Sequence, residues 1–267
     1  MFAKKIKISI ASLIILGMSG SFCLAFSPYE NYLLSGKETH VGLFAQIKTG
    51  QEEAFVKTLQ LLNEKESVKK LRKAHITNLS AFQKSISGKT YCMLYFDYKG
   101  GKGYLDAAAA FEKSSPAVAK LSELIISHPR AERYGCKWLQ MEWITFIRGK
   151  DVEDKSQNVV SMVTRIKPEK EMEYRMLHQG IWPGVVDQME RGNNRNFSIF
   201  LVELEDEIYE FFYFEYVGTD LKKDDAMNIS DPANLRWWKY TDKCQEPLLE
   251  MKGKGIWTPM EVISVSK

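Results

Sequence analysis

The chain has 267 residues, 45% hydrophobic and 27% charged, with a formal net charge of +3. That mix excludes an intrinsically disordered chain, and the length accommodates two small domains. Lys4, Lys5 and Lys7 carry the whole excess. Without residues 1–25, which hold no acidic residue, the charge is 3 − 3 = 0, so nucleic acid or an acidic membrane surface is not an expected partner.

Taken from the N-terminus, residues 1–25 have the layout of a secretory signal peptide. Three lysines precede an apolar run over 8–18, and Cys23-Leu24-Ala25 offers small residues for cleavage. The apolar run is shorter than the roughly 20 residues of a membrane span. Phe22 before Cys23 is too large for a typical lipoprotein signal. The expectation is cleavage near Ala25 and export to the periplasm or beyond, with no membrane contact past the export signal. The remaining cysteines, Cys92, Cys136 and Cys244, match no metal or Cys-x-x-Cys spacing, and a single disulfide among them stays open. Cys92 sits in an apolar strand and reads as a buried thiol. Lys69, Lys70, Arg72 and Lys73 read as the wet face of a helix. Residues 100–103 (GGKG) lack phosphate-loop spacing and read as a turn. His40, His75 and His128 lie near element edges with no matching carboxylate or cysteine spacing, so no metal is expected.

The chain repeats itself. Ile47-Lys48 before Glu52-Glu53-Ala54-Phe55 corresponds to Ile166-Lys167 before Glu171-Met172-Glu173-Tyr174, an offset of 166 − 47 = 119. Residues 78–82 (NLSAF) correspond to 196–200 (NFSIF), and 91–98 (YCMLYFDY) to 209–216 (YEFFYFEY), both at 118; Met141-Glu142 corresponds to Met260-Glu261 at 119. Four ordered blocks at nearly one offset imply a tandem duplication, 39–149 and 158–267, joined by a polar linker over 151–157.

In the second copy, 159–166 alternates with β-branched residues and predicts a strand. Pro168 suits the first turn of a helix, which runs to about Arg191 with a break at Pro183. Residues 192–194 form a turn, 196–204 and 208–217 a hairpin about Asp206-Glu207, 230–249 a second helix started by Asp231-Pro232, and 262–265 a last strand. The order is βαββαβ, the ferredoxin-like unit. The predicted fold is α+β, with two such repeats packed sheet to sheet as an intramolecular, barrel-like pseudo-dimer.

Tyr174 and His178 are four apart on the predicted helix and share a face, with Trp182 four further on. A histidine titrates near neutrality and can take or give a proton; a neighbouring phenol can donate, accept or orient. In isolation such a stripe is more often half-buried core than a site.

The wider string is more specific. Residues 173–183 (EYRMLHQGIWP), 196–201 (NFSIFL), the apolar strand 209–216 and 236–240 (RWWKY) occur in order and cover nearly all of 160–262, and together they resemble the L-rhamnose mutarotase family. The resemblance implies that His178 is the acid/base residue and Tyr174 its companion. It also implies a sugar site lined by Trp237 and Trp238, with Trp182 and Asn196 as further candidate substrate-binding residues. Gln179 and Gly180 stand where the family often has Asn and Pro, Phe197 replaces a common tyrosine, and 222–225 looks like a small insertion. These departures leave the sugar open.

The implied activity is interconversion of α and β anomers of L-rhamnose or a related deoxy sugar. A base takes the anomeric hydroxyl proton, an acid protonates the ring oxygen, and the ring opens, turns and closes. No metal or other cofactor is needed, and positioned proton transfer is worth about 10²–10⁴-fold. Tryptophan faces suit the C–H face of a pyranose. Adjacent helix residues point about 100° apart, so at most one of Trp237 and Trp238 faces the sugar squarely, the other being core. In the first copy Tyr174 falls on Phe55, His178 on Leu59 and the tryptophan pair on Val118-Ala119, so that copy is expected to be a structural partner. Two alternatives remain: a non-catalytic sugar-binding or structural module, and another small-molecule enzyme on the same fold.

Overall fold

The structure, a computed structural model, describes residues 39–100, 106–149 and 158–265. The expected signal peptide over 1–25, the expected linker over 151–157 and most of the expected glycine turn at 100–103 lie outside these residues. The fold is α+β with two antiparallel sheets.

The first half runs β1 (Thr39–Ile47), α1 (Glu52–Gln60), α2 (Lys65–Lys73), β2 (Ile76–Ile86), β3 (Lys89–Tyr98), α3 (Asp106–Glu112), α4 (Pro116–Glu123), α5 (Pro129–Glu132) and β4 (Glu142–Ile147). The second runs β5 (Val159–Ile166), a 3-10 turn at Pro168–Lys170, α6 (Glu171–Gln179), α7 (Pro183–Arg191), β6 (Asn194–Leu204), β7 (Glu207–Tyr216), α8 (Leu221–Ser230), α9 (Pro232–Thr241) and β8 (Glu261–Val265). Local chemistry sets the helix starts. Ser115 accepts from the Val118 N–H ahead of α4, and Asp231 accepts from the Ala233 and Asn234 N–H groups ahead of α9, with Pro116 and Pro232 in the first turns. The basic cluster of α2 lies on its exposed face, and Leu71 is its buried residue.

The last strand of each half joins the other half's sheet. One sheet is ordered β8-β2-β3-β1, the other β5-β7-β6-β4, and short bridging strands complete both. Glu142 of β4 pairs with Leu201, and Glu261 of β8 pairs with Gln83. The offsets, 261 − 142 = 119 and 201 − 83 = 118, are those of the sequence repeat. Both long hairpins carry a bulge at the same place, between Thr77 and Ser80 and between Arg195 and Ser198. Asn78 and Asn196 sit there at φ +57° and +52°, in the left-handed region that asparagine tolerates.

The sheets pack face to face over one core. Along β7, Phe211, Tyr213 and Glu215 point to the other sheet, while Glu210, Phe212 and Phe214 point to the helices, the period of two a strand imposes. Tyr213 stacks on Tyr95 with ring centroids 3.5 Å apart, and Phe211 meets Phe44 at 5.3 Å. Glu215, buried between the sheets, accepts from Asn78 at 2.7 Å, Asn196 at 3.1 Å and the Tyr213 hydroxyl at 3.1 Å. His40, Tyr95 and Asp97 form a second buried polar group there.

Two local expectations are corrected. The helix placed over 230–249 ends at Thr241, because the chain turns to bring Gln245 and Glu246 alongside β5 as a short strand. Residues 222–225 lie in α8, which Asp220 caps by accepting from the Lys223 N–H. Trp182 is not on the His178 helix, which stops at Gln179; it occupies the extended residue before Pro183 starts α7. Cys92, Cys136 and Cys244 are all buried, free thiols.

Candidate functional site

Between the second sheet and its helices lies a cavity of about 270 Å³, just under the range common for small-molecule sites, about 300–1,000 Å³. The strands supply an aromatic floor. Phe197 and Ile199 of β6 and Phe212 and Phe214 of β7 project to the same side, with Met162 of β5 and Trp257 beside them; the Phe212 and Trp257 rings are 4.6 Å apart. Ile147, from the end of β4, also lines it, so the first half supplies part of the wall.

The helices supply the polar groups. Tyr174 and His178 are the buried residues of α6, with ring centroids 4.2 Å apart. In α9 the buried positions are Asn234, Trp237 and Thr241, spaced as one helical face requires, and Trp237 meets the His178 ring edge to face at 5.5 Å. Gln188 of α7, Asn228 of α8 and Asn234 interlock through their carboxamides. The Asn234 Nδ2 donates to the Gln188 Oε1 at 2.6 Å, and the Gln188 Nε2 donates to the Asn228 Oδ1. Asn194 adds another carboxamide, whose buried Oδ1 has no partner among the described residues. A hydroxylated ligand would supply the missing donor.

Burial dominates the electrostatics of the pair and its neighbours. Burial lowers the His178 imidazole to about 4 against a partial opposing effect of its bond to the Tyr174 carbonyl. That bond, Nδ1 to oxygen at 3.0 Å, leaves Nε2 as the unprotonated nitrogen of a neutral ring. The hydroxyl of Thr145, on β4, donates to the His178 carbonyl at 3.1 Å and holds the helix end in place. The Tyr174 hydroxyl is hydrogen-bonded to Glu210, a fully buried carboxyl that also accepts from the Gln245 Nε2 at 2.9 Å. Burial raises Glu210 to about 8, outweighing those two hydrogen bonds, and burial also pushes the Tyr174 phenol well up.

Tyr174, His178, Trp237 and Trp238 therefore line one cavity. Trp182 and Asn196 are placed elsewhere. Trp182 packs behind Trp237 at 5.3 Å, with the Arg236 guanidinium 4.8 Å over its ring. Asn196 has the strand parity of Ser198 and Phe200, faces the other sheet and is held by Glu215. The residues the sequence did not single out are Glu210, Gln245 and the four carboxamides. Among the described residues, no three or more His, Cys, Asp or Glu side chains are grouped to hold a metal ion.

In the first half the positions of the acid/base pair are apolar and buried. Phe55 and Leu59 are fully buried where Tyr174 and His178 stand in the second, and Cys92 takes the place of Glu210. Trp138, the counterpart of Trp257 at offset 119, lies against Phe55 and Phe111 with ring centroids 6.3 and 5.8 Å away.

Residues 160–263 match the L-rhamnose mutarotase family. A protein described as an L-rhamnose mutarotase, from Oceanobacillus iheyensis, is 28% identical over 78 residues, covering 29% of this chain and 70% of that protein. A solved structure described as a monooxygenase, from Fusobacterium nucleatum, superposes with a TM-score of 0.50 at 12% identity, over 86% of this chain and 94% of that one. Another so described, from Lactobacillus acidophilus, gives 0.50 at 8% identity, over 86% and 96%. At those identities the two structures bear on fold alone, and over most of the chain.

Proposed function

We propose that residues 160–263, the part that matches the L-rhamnose mutarotase family, carry out aldose mutarotation on L-rhamnose or a related deoxy sugar. The reading is carried by one observation: Tyr174 and His178 stand side by side on the wall of a sugar-sized cavity whose other polar groups are carboxamides, the Thr241 hydroxyl and the Asp225 carboxyl. Such groups bind sugar hydroxyls, and the aromatic floor matches the C–H face and methyl group of a deoxy sugar.

In this reading His178 Nε2 takes the anomeric hydroxyl proton while the Tyr174 hydroxyl protonates the ring oxygen. The C1–O5 bond breaks and the aldehyde forms. Rotation about C1–C2 presents the other carbonyl face, O5 attacks it as its proton returns to Tyr174, and His178 returns its proton to O1. The enzyme ends as it began. A neutral imidazole is the form needed, and its low pKa keeps it so across the neutral range.

We further read the two halves as a tandem duplication forming a pseudo-dimer, supported by the equal registers of the exchanged strands. The first copy, 39–149, is its structural partner and the second, 158–267, the sugar-handling copy. Export after cleavage near Ala25 completes the proposal and would place the enzyme where free sugars are released from polysaccharide. The test is anomer-exchange NMR: His178→Ala should lower the protein's acceleration of exchange by about 10²-fold, the lower end for a positioned weak base. Unchanged exchange with retained sugar binding would favour the non-catalytic module, for which the largely apolar lining speaks.

A further inference from the structure

Glu210 has no counterpart in the first half, where Cys92 occupies its position, and nothing in ring opening demands a carboxylate beneath the floor of the cavity. It projects from the middle of β7 between Thr164 of β5 and Leu201 of β6. It is fully buried and its carboxyl oxygens are divided between two partners, Tyr174 on Oε1 and Gln245 on Oε2. The Gln245 amide can only donate from Nε2, so Oε2 is the acceptor in either protonation state. The single hydrogen that changes hands is therefore the one between Oε1 and the Tyr174 oxygen.

The two states orient the phenol oppositely. When Glu210 is ionised, the Tyr174 O–H must point at the carboxylate, and the phenol offers the cavity only lone pairs. When Glu210 is neutral, its own O–H donates to the Tyr174 oxygen, and the phenolic hydrogen is free to turn into the cavity. We infer that Glu210 is a positioning residue whose neutral form aims the Tyr174 hydroxyl hydrogen at the sugar ring oxygen. The inference rests on the mutarotase reading above and adds the residue that makes Tyr174 the acid in it. The bond being formed is Tyr174 O–H to ring oxygen; as that proton leaves, the Glu210 O–H proton follows onto the phenol oxygen, and both return on ring closure.

The titratable groups around Glu210 are Tyr174 of α6 and Cys244, in the segment that carries Gln245; Thr164 and Leu201 on the flanking strands carry no charge. Burial raises the carboxyl to about 8, so the neutral form prevails at neutral pH and is lost above it. The sign follows. Acceleration of exchange should fall as pH rises through about 8, where the acid hydrogen is withdrawn.

Glu210→Gln places an amide that donates permanently to the Tyr174 oxygen while its carbonyl still accepts from Gln245. The experiment measures anomer exchange of L-rhamnose by NMR between pH 6 and 9, with the protein-free rate subtracted, for the wild-type chain and E210Q. The rate ratio of E210Q to wild type should rise about tenfold between pH 6 and 9, the loss expected one unit above a pKa of about 8. Infrared difference spectra of the wild type should show a protonated-carboxyl band that disappears near pH 8, which checks the assignment even if E210Q does not fold. A constant ratio, or a wild-type spectrum without that titrating band, overturns the inference and leaves mutarotation standing. No acceleration by the wild type on any aldose overturns both.

Discussion

Residues 158–267, produced without the first half, should fold only by pairing with a second copy. In the intact chain β4 completes the second sheet along β6, and Val163, Phe200, Val202, Phe211 and Tyr213 are buried in the core shared with the first half. Returning five such side chains to water costs about 1.5–3 kcal/mol each, or roughly 8–15 kcal/mol together. That equals the whole stability of an ordinary domain, about 5–15 kcal/mol. The matched registers offer a remedy: β8 of another copy can lie along β6 with Glu261 opposite Leu201, where Glu142 lies now. Size-exclusion chromatography with light scattering, run alongside circular dichroism over a dilution series, should show a folded dimer that loses structure as it dissociates. A folded monomer at micromolar concentration would refute the shared-core argument and with it the pseudo-dimer.

Other consequences are as direct. Thr145→Val removes the hydroxyl that satisfies the His178 carbonyl; stability should drop by about 1 kcal/mol, seen as a melting shift of about 2–4 °C, with a several-fold slower exchange. The acid limb of the exchange profile should lie near pH 4, where His178 protonates, rather than near 6.5 as for an ordinary histidine. Stability should carry both buried groups. Glu210, raised in the fold, contributes fully below about 4.5 and loses its contribution as pH rises through about 8; His178, lowered, contributes above about 6.5 and loses it as pH falls through about 4. Thermal melts of the wild type should therefore decline between pH 6 and 8, and those of E210Q should lack that decline.

What the sequence revealed depended on whether the signal was periodic. The βαββαβ order and the shared helix face of Tyr174 and His178 were legible because strand alternation and i,i+4 spacing are one-dimensional quantities. Strand exchange was not, since residues 262–265 read equally well as a strand of either sheet. Glu210 was hidden in YEFFYFEY: a glutamate in a strand suggests a solvent face, and only the helices covering that face make it buried. Gln188, Asn228 and Asn234 come from three helices and have no common spacing. Asn196 was misplaced because its neighbours in the motif, Phe197 and Ile199, do line the cavity, while its own parity turns it to the other sheet; the bulge after Arg195 brings Asn194 to the cavity instead.

The most direct test is the exchange rate between the α and β anomers of L-rhamnose, followed by NMR with and without the wild-type chain near pH 7. The account calls for exchange that accelerates in proportion to protein concentration, and faster for L-rhamnose or another deoxy aldose than for glucose. Exchange at the spontaneous rate with every aldose, at any protein concentration, would contradict it.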